Sequence, residues 1–274
     1  MAEFYAELTA SHQLAMTDWL ALVIGNTRWH WAWFRGSDLQ QVWHTPHLSN
    51  QPPPGITLHS IWSDQLPPQA LDLPFESIDI WAVSVVPNQA TYIESLSQVK
   101  WINRFSLQNV YSTMGLDRVA TLWGAGQRYG WPLLVIDGGT ALTVTAGADG
   151  AFVGGAILLG LQSHLSALHN TTAALPMISP PASLPPRWAV DTSSAIQSGV
   201  IHTLLSTIDS YIQSWKKQYP QSAVIFTGGD GDYLYRLHQQ NTKQNQAPFN
   251  RTWFEPNLMF WGIASYRNEA TRAL

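Results

Sequence analysis

Val135-Ile136-Asp137-Gly138-Gly139-Thr140-Ala141-Leu142-Thr143 joins two β-type runs through an acid, two glycines and a hydroxyl. The apolar, β-branched run ends at Asp137, and a second run extends from Leu142 to Ala146, so the pattern reads as a hairpin. Glycines at such a turn permit positive φ and let the backbone approach a ligand closely. Consecutive backbone N–H groups there form a concave anion site. A Gly-Gly hairpin alone is also compatible with an ordinary turn. A second copy decides between these readings. Leu20-Ala21-Leu22-Val23-Ile24 is an apolar strand, Gly25-Asn26-Thr27 follows, and Trp29 to Phe34 resumes β-type composition. A third strand, Ala223-Val224-Ile225-Phe226-Thr227, runs into Gly228-Gly229-Asp230-Gly231. Two such hairpins half a chain apart suggest two related domains facing one nucleotide.

The chain has 274 residues, 45% of them hydrophobic and 12% charged, which describes a globular protein with a sizeable core. A net charge of −4 gives no strong pull toward nucleic acid or anionic membrane. The absence of cysteine excludes disulfides, thiolate nucleophiles and Cys-ligated zinc, and it fits a cytoplasmic, reducing location. No apolar run approaches the roughly 18 residues that span a bilayer. Residues 1–17 lack the basic and apolar regions of a secretory signal and read as a polar extension. The 14 tryptophans are read as core and interface packing.

Outward from the first hairpin, Gln40 to His44 reads as a third strand and Gln51-Pro52-Pro53-Pro54-Gly55 as a loop. Ile78 to Val86 is a buried strand that Pro87 ends. A helix is expected over Asn88–Val99 with Asn88 as its N-cap, then a short strand over Trp101–Phe105. Asp117 to Tyr129 has Val119, Leu122, Trp123 and Gly126 on one helical face, with Gly130 as terminator. After Asp149-Gly150 a short strand covers Ala151–Val153, and Gly154-Gly155 and Gly160 bracket Ala156 to Leu159. Helices are expected over Gln162–Asn170, Ser193–Trp215, Tyr233–Gln240 and Leu258–Ala270. Gln239 to Asn250 reads as a mobile connection, and Arg251 to Phe254 as a last strand. Ile196, Val200, Leu204, Ile208 and Ile212 sustain an i, i+4 face in the second helix of this set. Hairpins followed by helices, repeated twice, predict two stacked α/β domains over residues 18–130 and 131–274, with a cleft as the natural ligand site.

This arrangement suits phosphoryl transfer, which needs phosphates positioned, charge compensated and a base near the attacking hydroxyl. Backbone N–H groups at the two Gly/Thr turns and the hydroxyls of Thr27 and Thr140 can hold phosphate oxygens. The Gly228-Gly229 turn lets a flat base lie against the backbone. Asp117 in Met114-Gly115-Leu116-Asp117-Arg118 is the candidate base, opening a helix whose N-terminus favours anions. Arg118 offers a planar fork for an anionic substrate group. The competing reading makes Asp117 an N-cap and Arg118 a surface residue. His44 and His47, and His164 and His169, lack the context of a dedicated metal site. Asp230 and Asp232 read as turn residues.

Taken together, these segments resemble the type III pantothenate kinases of the acetate and sugar kinase, Hsp70 and actin superfamily. Gly25-Asn26-Thr27 matches the family's first phosphate motif, and Ser84-Val85-Val86-Pro87 a strand end. Gly115-Leu116-Asp117-Arg118 with Gly124-Ala125 matches its Gly-x-Asp-Arg signature, and Asp137-Gly138-Gly139-Thr140-Ala141 its second phosphate motif. Gly154-Gly155-Ala156-Ile157, Gly160-Leu161, Thr172-Ala173-Ala174-Leu175-Pro176, Ala195-Ile196 with Gly199, and Thr227-Gly228-Gly229-Asp230 follow in order. The resemblance implies two ribonuclease H-like, actin-like ATPase domains. It also implies ATP-dependent phosphorylation of the primary hydroxyl of pantothenate, the first step toward coenzyme A. Mg²⁺, K⁺ or NH₄⁺, and a homodimer whose second subunit helps form the pantothenate pocket come with it. Carried over by position, Asp117 is the general base. Gly115, Leu116, Arg118, Thr172 and Tyr111 would meet pantothenate. Gly25, Asn26, Thr27, Arg28, Gly138, Gly139, Thr140, Gly228 and Gly229 would meet ATP, and Asp137 the metal.

One departure stands out. The family's first motif opens with an Asp two positions before the glycine, and Val23 stands there instead. Asp18 is five residues upstream, about 16 Å along an extended strand, too far to substitute. Asp137 alone, with waters, is therefore expected to anchor the metal. Arg28 or His30 must take any phosphate-steering role just after the first motif. Two alternatives remain open on these residues: a non-catalytic nucleotide-binding or regulatory protein of the same fold, and a related kinase acting on another small molecule.

Overall fold

A computed structural model describes residues 17–50, 58–244 and 251–272. The chain divides into two compact units. The first holds residues up to Phe105, Thr113–Gly124 and everything from Met259 onward; the second holds Ser106–Ser112 and Ala125–Leu258. The proline run at 51–55, nearly all of the expected 1–17 extension, and residues 245–250 of the polar connection lie outside the described residues.

The first unit is built on a five-stranded mixed sheet of β1 (Asp18–Ile24), β2 (Arg28–Arg35), β3 (Asp38–Pro46), β4 (Asp79–Ser84) and β5 (Val99–Trp101), in the order β3-β2-β1-β4-β5. β1 to β3 form an antiparallel meander, while β4 and β5 add parallel to β1. β1 is buried from Trp19 to Ile24, as a continuous apolar run requires when both faces of a central strand are covered. On one face Leu20, Leu22 and Ile24 pack with Trp29, Trp31, Trp43 and Trp62. On the other, Trp19 stacks on Phe34 with ring centroids 4.4 Å apart.

Helices flank this sheet. α1 (Leu58–Trp62) and α2 (Pro87–Ala90) are short, and α3 (Leu116–Tyr129) opens in the first unit and ends in the second. The expected helix over 88–99 is thus corrected to a single turn opened by Pro87, with no side-chain cap. The chain then tightens through short-range bonds, Leu96 N–H to Ile93 and Val99 N–H to Leu96. It does so because residues 99–101 must pair with β4, which also moves the short strand forward from the expected 101–105.

The second unit repeats the plan with β6 (Leu133–Gly138), β7 (Ala141–Ala148), β8 (Ala151–Leu159), β9 (Ala223–Thr227) and β10 (Thr252–Phe254), in the order β10-β9-β6-β7-β8. β6-β7-β8 is again the antiparallel meander, and β9 and β10 again add in parallel. In both sheets the hairpin's first strand is central and the topology is identical. β8 is longer than expected: it runs unbroken through Gly154-Gly155, which pair with Ala146 and Thr145 of β7. Helices α4 (Leu161–Thr171), α5 (Thr192–Gln218) and α6 (Gly231–Gln244) belong here. α5 begins at Thr192 because the Asp191 side chain accepts the Ser194 N–H at 3.0 Å. Its predicted apolar face, Ile196 to Ile212, is buried against Leu134, Ile136, Leu142 and Val144. The closing helix α7 (Leu258–Arg272) returns to the first unit, where a Cβ at Gly262 would collide with the Ala120 carbonyl of α3. Two mixed sheets of one topology, each with its helices, make this a two-domain α/β fold of the actin-like kind.

Candidate active site

The first corner follows from β1 and β2. Their antiparallel register ends at Ile24–Trp29, leaving Gly25, Asn26 and Thr27 to turn the chain, with Gly25 N–H donating to Arg28 at 3.1 Å. Asn26, Thr27 and Arg28 are exposed. His47, on the segment after β3, lies with Nε2 2.8 Å from the Gly25 carbonyl and so donates to it. Gln89 braces that segment, accepting from Leu48 N–H and Trp29 Nε1 and donating to the Leu48 carbonyl. The sequence offered His47 only as a failed metal ligand; its work is to hold a turn.

The acidic helix start is tied to this corner within the same unit. Val85, just past β4, donates its N–H to the Ile24 carbonyl at 3.0 Å. Its side chain lies against Gly115, one residue before α3. Asp117 sits inside the first turn of α3, and its Oδ1 accepts the Arg118 N–H at 2.7 Å. A Cβ at Gly115 would fall 2.6 Å from that oxygen, so the glycine keeps the carboxylate's place open. Burial pushes the Asp117 carboxyl above the ordinary carboxylate range, opposed by backbone N–H groups and the Arg118 charge. Arg118 is buried, 9% exposed, which corrects the reading of it as a surface residue.

The second corner is more tightly built. Asp137 and Gly138 close β6, and Gly139 N–H donates to Ala141 at 3.0 Å. The Thr140 carbonyl accepts from Gly160 N–H at 3.0 Å and from Ser163 Oγ at 2.7 Å. Gly160 fits only as glycine, since a Cβ there would collide with the Gly139 carbonyl. The Gly228-Gly229 turn leans on the same place. Gly228 adopts φ +85°, and a Cβ on it would collide with the Asp137 carboxylate. Asp230 N–H donates to the Gly138 carbonyl at 2.8 Å. Asp137, the Gly138-Gly139-Thr140 turn and the Gly228-Gly229 turn are therefore one assembly in the second unit. Asp230 is a turn residue as expected, and Asp232 pairs with Arg236 one helical turn on.

Topology also fixes where the missing aspartate would be. Asp137 lies two residues before the turn glycine on the central strand of its sheet, and Val23 holds the same place in the other, 1% exposed. Among the described residues no group of three or more His, Asp or Glu could hold a metal. A lone Asp137 nevertheless fits Mg²⁺, which keeps several waters and takes one or two carboxylates plus substrate phosphates.

The two remaining predicted residues belong to the second unit. Tyr111 is exposed and packs edge-on against Phe152 at 5.6 Å. Thr172 follows α4, and its hydroxyl donates to the Leu168 carbonyl at 2.7 Å.

Comparison with known proteins points to one family over most of the chain. Residues 19–214 match the family model of type III pantothenate kinases. A type III pantothenate kinase of Nostoc sp. strain PCC 7120 is 40% identical over 264 residues, covering 89% of this chain and 92% of its own. One from Synechococcus sp. strain JA-3-3Ab is 38% identical, covering 91% and 92%. Among solved structures, the "conserved putative Baf family transcriptional activator from Campylobacter jejuni" superposes with a TM-score of 0.62 at 17% identity, over 92% of this chain and 99% of that one. At that identity the likeness speaks for the fold alone.

Proposed function

The chain belongs to the type III pantothenate kinase family, and from that premise we propose how its residues divide the reaction. The enzyme transfers the γ-phosphoryl group of ATP to pantothenate, giving 4'-phosphopantothenate at the start of coenzyme A synthesis. The first corner, with Gly25, Asn26, Thr27 and Arg28, and the second, with Gly138, Gly139 and Thr140, hold nucleotide phosphates. Gly228 and Gly229 receive the adenosine. Arg118, Gly115 and Leu116 position pantothenate, with Thr172 and Tyr111 lining its pocket. Asp117 accepts the proton of the primary hydroxyl as its oxygen bonds to phosphorus, and ADP leaves.

The observation that carries this reading is the Asp117 carboxylate itself: half-buried, raised in pKa, and held at a helix start beside the strand end that supports the first corner. A base poised upward in this way abstracts a proton more effectively than an ordinary carboxylate. Mg²⁺, when bound, would be held by Asp137 and would neutralise charge on the phosphate oxygens. The monovalent cation, K⁺ or NH₄⁺, rests on the family resemblance.

The test is coupled ADP release with and without pantothenate, at fixed Mg²⁺ and across a K⁺ titration. Turnover that needs both pantothenate and K⁺ supports the assignment, and ADP release indifferent to pantothenate defeats it. Asp117→Asn should lower kcat by about 10²–10⁴-fold, the range of a general base, while leaving ATP affinity within a few-fold.

We also propose a homodimer. Val153, Ile157 and Leu159 are 49, 64 and 49% exposed at alternate positions of β8, an edge strand, so they form one apolar face that a second copy would cover. Among the described residues no helix is long and apolar enough to cross a membrane. A cytoplasmic location, where ATP is supplied, fits this reading.

A further inference from the structure

The loss of an acid at Val23 leaves the first corner with an unusual set of neighbours. Across the sheet, Val23 of β1 pairs with His30 of β2, and His30 pairs with His44 of β3, so the three stand in one row on one face. The two imidazoles meet edge to face, with Nδ1 of His30 3.1 Å from Nδ1 of His44. At that separation one nitrogen must carry a hydrogen and the other must accept it, so the pair shares one proton position between two rings. The far edge of the His30 ring reaches the phosphate corner: a Cβ at Gly25 would lie 3.2 Å from its Nε2. His30 thus connects the exposed His44 to the turn that Gly25-Asn26-Thr27 makes.

Charge around the pair is one-sided. β1 presents Val23 to His30 in place of a carboxylate. The charged groups acting on His30 are His44 from β3 and Arg28 from its own strand, and both oppose its protonation. Arg28 acts likewise on His44. Burial is the largest cause, and together with these charges it lowers His30 to about 4. A phosphate arriving at this corner would bring the missing negative charge, and the same two rings would then favour an added proton over the neutral state.

We infer that His30 and His44 form a proton-accepting anchor for a nucleotide phosphate at the first corner, on the sheet row where Val23 brings no charge. The inference rests on the kinase reading and adds to it. Nucleotide binding takes up a proton, held as Nδ1–H⁺···Nδ1 between the rings, and no bond other than hydrogen bonds is made or broken. Binding should therefore strengthen as pH falls from 8 toward 6.

Calorimetric titration of the full chain with a non-hydrolysable ATP analogue, at pH 6 to 8 in buffers of differing ionisation enthalpy, reads that proton directly. Comparing wild type with His30→Gln and His44→Gln cancels the analogue's own titration. Wild type should take up about three-quarters of a proton more than either variant near pH 6, given a bound-state imidazole at the reference pKa near 6.5. Its affinity there should be about 4-fold greater, as that uptake requires, converging by pH 8. His44 is exposed, so its variant keeps the fold even if His30→Gln does not. Histidine ring nitrogen spectra of the wild type with the analogue give a measurement free of any substitution: both Nδ1 signals should move toward the protonated form. Equal proton uptake and equal affinity in all three proteins, or unmoved ring signals, would overturn the inference while the kinase reading stands. Failure of the wild type to bind the analogue at all would overturn both.

Discussion

Asp117 and Arg118 are neighbours in sequence and opposite in charge, yet their side chains do different work. The Asp117 carboxylate turns back onto its own helix start, taking the Arg118 N–H, and is raised by burial even so. The direction has two consequences. Its folded pKa lies above the unfolded value of 3.8, so its contribution to stability is present below 3.8 and is lost as pH rises through the folded value. At neutral pH the ionised group therefore costs stability, and Asp117→Asn should unfold no lower than wild type in a thermal melt. In kinetics the same raised group sets the acid limb: kcat should fall on acidification through a pKa above the ordinary 3.8, and Asp117→Asn should lose that limb. A wild-type profile flat down to pH 4 would contradict the assignment. The acid and its helix were readable from residues 114–118. The desolvation that raises Asp117 was not, because it depends on packing around the helix start, where Val85 lies against Gly115 from 30 positions away in sequence.

Among the elements, the two glycine turns of the second unit behave as one device, and they can be told apart by substitution. Gly228 has φ +85° and touches Asp137, whereas a Cβ at Gly229 meets nothing within 4 Å. Gly228→Ala should therefore cost about 1–3 kcal/mol by denaturant unfolding, from backbone strain and displacement of the aspartate. It should also raise the KM for ATP and the Mg²⁺ requirement together. Gly229→Ala should leave stability within about 0.5 kcal/mol, so any effect there falls on nucleotide binding alone. Elements with one strong local signal were legible: the α5 face at Ile196 to Ile212 and the strands that enter glycine corners. The stretch after Pro87 was not. Its helical spacing was overridden by the need of Val99–Trp101 to pair with β4, a long-range gain that local propensity does not register. Gly154-Gly155 failed as punctuation for the same reason, since pairing with β7 carries the strand through them.

For the whole molecule, the duplicated order of two five-stranded sheets yields two different corners: one copy sets a glycine turn beside histidines, the other sets an aspartate against a second glycine turn. The apolar face on β8 belongs to this scale. If a second copy covers it, Ile157→Lys should shift sedimentation from dimer to monomer at micromolar concentration while the thermal melt still shows a folded chain. A wild type that sediments as a monomer throughout would end the dimer proposal. The amino-acid sequence alone determined the strands that enter the glycine corners, the corners themselves, the acidic helix start and the family, because each rests on residues close together and on their order. Tertiary structure alone decided that α7 closes the first unit, that Asp137 abuts Gly228, and that His30 meets His44 beside Gly25. Those contacts join positions far apart in the chain, and only packing and strand register bring such residues within reach of one another.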